Sequence, residues 1–144
     1  MNGNRYVLYI KCKSIKRGQK LLTKSTQQIR KNLSELGLNL TPAKTKFMHF
    51  NNQKILPGET ELEIAGVRIK SSEQVKFLGV IFDYNMSFVP QLKYIQQRCY
   101  KSLNIIKFLC GTWWGSDPET LTTLYKCYTR SIIDYSCFVW FRKF

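Results

Sequence analysis

Along this chain the spacing of hydrophobic residues switches from short strand-like runs to sustained helical steps, and that switch predicts the order of its elements. Tyr6, Val7, Tyr9 and Ile10 are strand formers and predict a strand from Arg5 to Lys13. From Ile15 to Leu36 the positions Leu22, Ile29, Leu33 and Leu36 share one helical face, while Arg17, Lys20, Lys24 and Lys31 gather on the other. This is the pattern of a helix packed on a sheet, with a basic outer stripe that faces either nucleic acid or solvent. Gly37 stands just past its end, where a left-handed backbone is easiest for glycine. A turn containing Pro42 then leads to a strand ending near Phe50. After the turn formers Asn51-Asn52 and Pro57-Gly58, two more strands are predicted, about Leu62 to Lys70 and Gln74 to Asp83.

The last third is helical. Leu92, Ile95, Cys99, Leu103, Ile106 and Cys110 recur at three- and four-residue steps, predicting a helix from Gln91 to Cys110 that leaves Lys93, Arg98, Lys101 and Lys107 available. Gly111-Thr112-Trp113-Trp114-Gly115 breaks it. Ser116 and Glu119 then have capping-box spacing, with Pro118 in the first turn, and the helix they open carries Leu121, Leu124, Tyr125, Tyr128, Ile132, Tyr135 and Val139 on one stripe. The predicted fold class is α+β. An antiparallel sheet backed by one helix occupies residues 1–86 and a helical segment residues 87–144, joined near Met86 to Pro90.

Composition sharpens this picture. With 144 residues, 44% hydrophobic and 14% aromatic, the chain can bury one core and is unlike a disordered sequence. Against 9 Asp and Glu stand 23 Lys and Arg, a formal charge of +14. Such an excess releases condensed counterions from a polyanion, which favours a nucleic-acid partner. The five cysteines, Cys12, Cys99, Cys110, Cys127 and Cys137, are odd in number and widely spaced, and His49 is the one histidine. Neither a disulfide framework nor a zinc site is indicated, and reduced, mostly packed thiols are expected. The apolar run after Arg5 is too short for a signal-peptide core, and the uncharged run Phe108 to Ser116 is too short to span a bilayer. The expectation is an intracellular protein, nuclear or cytoplasmic, with no membrane partner.

Three segments together carry a family resemblance. Gly37-Leu38, Lys44-Thr45 and Phe50 follow one another as in the palm motif called D of the reverse transcriptases of non-LTR (LINE-like, jockey-type) retrotransposons. Val75-Lys76-Phe77-Leu78-Gly79-Val80-Ile81-Phe82-Asp83 resembles the same family's motif E, the primer grip, whose Leu-Gly core begins a hairpin. Arg130-Ser131, Tyr135 and Val139-Trp140 resemble recurrent positions of its thumb. The resemblance runs from about Tyr6 onward, and the order of these segments is more specific than any one of them. It implies a partial palm followed by a thumb-like segment, with RNA and DNA as template and primer. It also implies a longer polyprotein that supplies the fingers and the rest of the palm. By resemblance Lys44 is a general acid toward the pyrophosphate leaving group, the alternative being a surface lysine in a loop. Lys76, Phe77, Leu78 and Gly79 then belong to the grip, and Lys93, Arg98, Lys101 and Lys107 to a nucleic-acid face. Glycine at position 79 suits a close approach of one backbone to another. Trp113 and Trp114 are expected to divide between core and surface rather than to serve as ligand contacts.

The chemistry is less complete than the resemblance. In the family an aromatic-Ala-Asp-Asp turn precedes the first strand, and here Met1-Asn2-Gly3-Asn4-Arg5 stands in its place. Two-metal phosphoryl transfer needs carboxylates converging on ions about 4 Å apart. Glu59, Glu61 and Glu63 alternate, but they read as a solvated, charge-protected strand edge. No metal site is expected in this chain, and Mg²⁺ only in the complete family enzyme. The expected function is therefore a truncated RNA-directed DNA polymerase fragment, inactive alone, or alternatively a non-enzymatic basic nucleic-acid-binding module. An unstable remnant with exposed edges is a third possibility.

Overall fold

The computed structural model describes residues 6–50, 60–64, 66–111 and 115–141. It divides the chain into two compact units, one ending at Glu73 and the other beginning at Gln74. That division falls earlier than the expected break between residues 86 and 87, because the hairpin ending at Asp83 packs with the helix that follows it.

In the first unit, helix α1 (Ile15–Glu35) forms where the periodicity places it. Arg17, Lys20, Lys24 and Lys31 are exposed and Leu33 is buried. Leu36 departs from the predicted stripe: it is the C-cap, and three quarters of its surface is exposed. Gly37 adopts φ +71°, and the N–H groups of Gly37 and Leu38 donate to the carbonyls of Ser34 and Leu33 at 3.1 and 2.8 Å. These two bonds satisfy carbonyls that the helix end would otherwise leave unpaired. The helix packs on strand β1 (Glu61–Ile64), which pairs antiparallel with β2 (Val67–Lys70). Gln19 Nε2 donates to the Glu61 carbonyl at 2.8 Å. Along β1 exposure alternates: Leu62 and Ile64 are each 4% exposed, and their burial stabilises the unit by about 1.5–3 kcal/mol apiece. Glu61 and Glu63 lie on the solvated face, opposite Lys70 and Arg68 across the ladder. This is the expected charged edge, while Glu59 lies outside the described residues.

Two predicted strands here are corrected. Tyr6–Lys13 enters no sheet, and Tyr6, Val7 and Tyr9 are 60%, 62% and 87% exposed. Strand propensity is fulfilled only where a neighbouring strand offers backbone partners, and none of the described residues pairs with this run. The strand toward Phe50 shrinks to one bridge from Phe47 to Ser71, supported by Ser72 N–H donating to the Phe47 carbonyl at 2.8 Å.

The second unit begins with a hairpin of β3 (Gln74–Phe77) and β4 (Val80–Asp83), so the single long strand predicted from Gln74 to Asp83 folds back on itself. The run from Leu62 to Lys70 does the same around Gly66, at φ +77°. The single predicted sheet is thus two separate two-stranded sheets, and α1 packs on the first. Leu78 and Gly79 form the β3–β4 turn with φ values of +44° and +82°, the sign that a tight two-residue hairpin requires at both positions. Helix α2 (Val89–Leu109) follows, close to its predicted span.

The second helix is not continuous. It runs as α3 (Pro118–Leu124), a π-helical segment Tyr125–Arg130, α4 (Ser131–Asp134) and α5 (Cys137–Trp140), with Ser136 left-handed between the last two. Its N-cap is Asp117 rather than Ser116: the Asp117 carboxylate accepts from Thr120 N–H at 3.0 Å and from the Thr120 hydroxyl at 2.7 Å. Those bonds, the hydroxyl's first, hold the Asp117 carboxyl below its ordinary range. The wider π turn shifts the register, so Thr129 is buried while Tyr125 and Tyr128 of the predicted stripe are exposed. The core joins Val80, Phe88, Ile95 and Trp140, with Phe82, Leu92, Cys99, Ile132, Cys137 and Val139 packed around them. All five cysteines are free, and three of them (Cys12, Cys110 and Cys127) are exposed rather than packed. Among the described residues, no helix is long and apolar enough to cross a membrane.

Candidate nucleic-acid interface

The hairpin and α2 are fastened by polar groups that the apolar pattern does not reveal. Gln91, 2% exposed, accepts the Ile81 N–H on its Oε1 at 2.9 Å and so ties β4 to the first turn of the helix. Asp83 is 6% exposed and closes the link between them. Its Oδ2 accepts from Ser87 N–H at 2.9 Å and the Ser87 hydroxyl at 2.7 Å, and its Oδ1 from Phe88 N–H at 2.8 Å. Burial pushes this carboxyl up, but the hydrogen bonds from Ser87 and Phe88 outweigh that and hold it below the usual carboxylate value.

Over this link lies a cleft of about 270 Å³, lined by residues of β3, its turn, α2 and the C-terminal helices. Lys76 donates to the Tyr94 hydroxyl at 2.9 Å, and its Nζ stands 4.3 Å from the centre of that ring. Arg98, one helical turn beyond Tyr94, brings its guanidinium carbon to 5.8 Å from the same centre. The hydrogen bond from Lys76 lowers the Tyr94 hydroxyl's pKa against a smaller upward push from burial, and the charges of Lys76 and Arg98 lower it further. Across the cleft, Tyr135 donates its hydroxyl to the Leu78 carbonyl at 2.8 Å. A Cβ placed on Gly79 would sit 2.9 Å from Tyr135 Cε1, so the close approach that glycine permits is to an aromatic ring and not, as expected, to another backbone.

The predicted residues are thus brought together in part. Lys76, Gly79 and Arg98 share the cleft, and Leu78 projects beside it at 68% exposure while Phe77 is half-buried. Lys101 is exposed on the same helical face, about two turns past Tyr94. Lys93 and Lys107, about four turns apart, share a different exposed face of α2. Lys44 belongs to the first unit, exposed at the end of a 3₁₀ turn, Pro42–Lys44. Trp113 and Trp114 lie outside the described residues. Sequence reasoning missed Tyr94 and Gln91. The spacing of Tyr94 and Arg98, one turn apart, was a usable signal for the first, whereas a glutamine on a helix gives none.

Comparison with known proteins adds a partial relationship. The chain is 25% identical over 83 residues to a Retrovirus-related Pol polyprotein from type-1 retrotransposable element R1 4 of Nasonia vitripennis, covering 58% of this chain and 21% of that protein. It is 31% identical over 72 residues to a Probable RNA-directed DNA polymerase from transposon BS of Drosophila melanogaster, covering 50% of this chain and 8% of that protein. Over part of its length the chain is similar to proteins of transposable elements. It spans about a fifth of the first relative and less than a tenth of the second. No family model matches, and no solved structure matches.

The described residues do not fit a two-metal site. No three of His, Cys, Asp and Glu converge among them, and the buried Asp83 carboxylate is committed to Ser87 and Phe88. In this respect the cleft can hold an anion by charge and hydrogen bonding. It offers no carboxylate to a cation.

Proposed function

We propose that the chain is the palm-and-thumb part of a jockey-type non-LTR reverse transcriptase. It grips a template-primer of RNA and DNA through the Leu78-Gly79 hairpin and the basic faces of α2. The observation that carries this reading is the convergence of Lys76 from the hairpin and Arg98 from the helix on Tyr94, in a cleft lined by no carboxylate. Partial similarity to a polymerase and a Pol polyprotein supports it. In this role the chain binds and positions, and the metal-dependent step belongs to carboxylates elsewhere in a longer polyprotein. Lys44 serves as the acid toward pyrophosphate only where that remainder presents an incoming triphosphate.

Fluorescence anisotropy with a primer-template junction and a blunt duplex tests the reading between about 50 and 200 mM salt. The expected result is tighter binding to the junction and an affinity that falls steeply as salt rises. Replacing Lys93, Lys101 and Lys107 with Gln should flatten the slope by about one unit per lost phosphate contact. Steep salt dependence without junction preference would leave only a basic nucleic-acid-binding module. A salt-independent affinity would exclude both.

A further inference from the structure

Helix α1 carries more positive charge than its own fold can use. Within Ile15–Glu35 stand six Lys and Arg, and the one acid, Glu35, comes at the last residue. Lys16, Arg17, Lys20, Lys24 and Lys31 are all exposed and fall within about 100° of the helix circumference, opposite the buried Gly18 and Leu33. The stripe runs for about 22 Å, with Lys16, Lys20 and Lys24 one turn apart. None of the five forms an ion pair among the described residues, where the one pair is Arg130 with Asp134. On the strand beneath the helix, Glu61 and Glu63 stand opposite other cations, Lys70 and Arg68. An ordinary solvated face mixes the signs, so that Glu and Lys one turn apart support the helix. Here like charges one turn apart oppose it, and Lys16 and Arg17 lie in a first turn without acids, at the positive end of the helix dipole. Ser14, the N-cap, makes no side-chain hydrogen bond to that turn. A line of negative charge along the stripe relieves each of these costs.

We propose that the outer face of α1 is a docking surface for the phosphate backbone of a nucleic-acid strand, separate from the grip assigned to the second unit. The stripe belongs to the first unit alone, so the proposal stands without the Leu78-Gly79 hairpin. Charge repeats along a nucleic-acid strand as it repeats along this helix, and each contact releases condensed counterions. The helix contains no Phe, Tyr or Trp, so bases have nothing to stack on, and contacts to phosphate alone carry no sequence information. A protein partner fits less well, because lysine is depleted at protein interfaces and no apolar side chain lies within the arc. A lipid surface fits less well too. An interfacial helix buries its apolar face in the bilayer, whereas that face of α1 packs on β1.

The test compares two triple variants of the full chain that lose the same charge. K16Q/K20Q/K24Q empties the stripe, and K46Q/K70Q/K126Q removes exposed lysines scattered over other parts of the chain. Binding of two single-stranded oligonucleotides of unrelated sequence is followed by anisotropy between about 50 and 200 mM salt. The stripe variant should flatten the log–log salt slope by about 2, at about 0.7 per lost phosphate contact, equally for both sequences. The scattered variant should change it far less. Because repulsion along α1 is relieved, the stripe variant should also melt no lower than the unaltered chain, which separates lost contacts from lost folding. If both triples act alike while K93Q/K101Q/K107Q flattens the slope further, the stripe is a solvated face and the proposal fails with the grip intact. If none of the three changes the slope, both readings fail. Unchanged oligonucleotide binding by the stripe variant, with loss of binding to phosphatidylserine vesicles, overturns the proposal in favour of a lipid surface.

Discussion

Gly79 and Tyr135 give the sharpest test at the scale of single residues. A valine at position 79 must hold φ near +82°, which costs an L residue about 1–2 kcal/mol, and its Cβ collides with the Tyr135 ring. If the ring swings out, the hydrogen bond to the Leu78 carbonyl goes with it, at about 1 kcal/mol. Gly79→Val should therefore lower stability by about 2–3 kcal/mol in urea unfolding. Tryptophan fluorescence is the apt probe, since Trp140 lies in the core of the second unit. An unchanged midpoint would show that the turn is not held by the ring. Asp83 supplies a pH test. Its carboxyl is held below the ordinary value of 3.8 in the folded chain, so it stabilises the fold above that value, and the contribution is lost as pH falls through the lower, folded value. Stability should decline below about pH 4, and Asp83→Asn, already weaker at pH 7, should show a shallower decline. Of these two residues, the sequence made glycine's permissiveness at 79 readable. Its partner Tyr135 was not readable, because a ring that bonds the Leu78 carbonyl from 57 positions away leaves no local periodic trace.

Among the elements, the π-helical segment has the clearest energetic signature. Ser102 of α2 and Thr129 share a hydrogen bond of 2.8 Å, at 5% and 3% exposure. Thr129→Val strands a buried hydroxyl and should cost about 1–3 kcal/mol. Combining it with Ser102→Ala removes both partners and should recover much of that loss, a non-additivity read by a double-mutant cycle in urea. Additive losses would mean that the two hydroxyls act independently. The long helices α1 and α2 were legible because their buried faces repeat every three or four residues over many turns. By periodicity alone each hairpin reads as a single strand, because alternation looks the same on either side of a tight turn; Gly66 and Gly79 mark the reversals, and the resemblance to motif E anticipates the second. The π segment was invisible, since one added residue per turn is a choice of backbone hydrogen bonding that packing against α2 decides.

For the whole molecule, charge and chemistry point in different directions. The +14 charge was plain from composition and favours polyanions, yet the described acids do not converge. The purified chain should bind primer-template and show no metal-dependent primer extension. Incorporation above a heat-inactivated control, with Mg²⁺ or Mn²⁺, would reveal a carboxylate cluster that folding assembles. The latch between Tyr135 and Leu78 also has a meaning in time. A hairpin of two four-residue strands closes within about 1–10 μs but is marginal by itself. At about 5–20 residues per second, the ribosome adds the 57 residues separating latch from turn in about 3–11 s. Throughout that interval the Leu78 carbonyl of a nascent chain has no Tyr135 hydroxyl to accept from, so the time the turn spends unlatched is set by translation speed before it is set by packing.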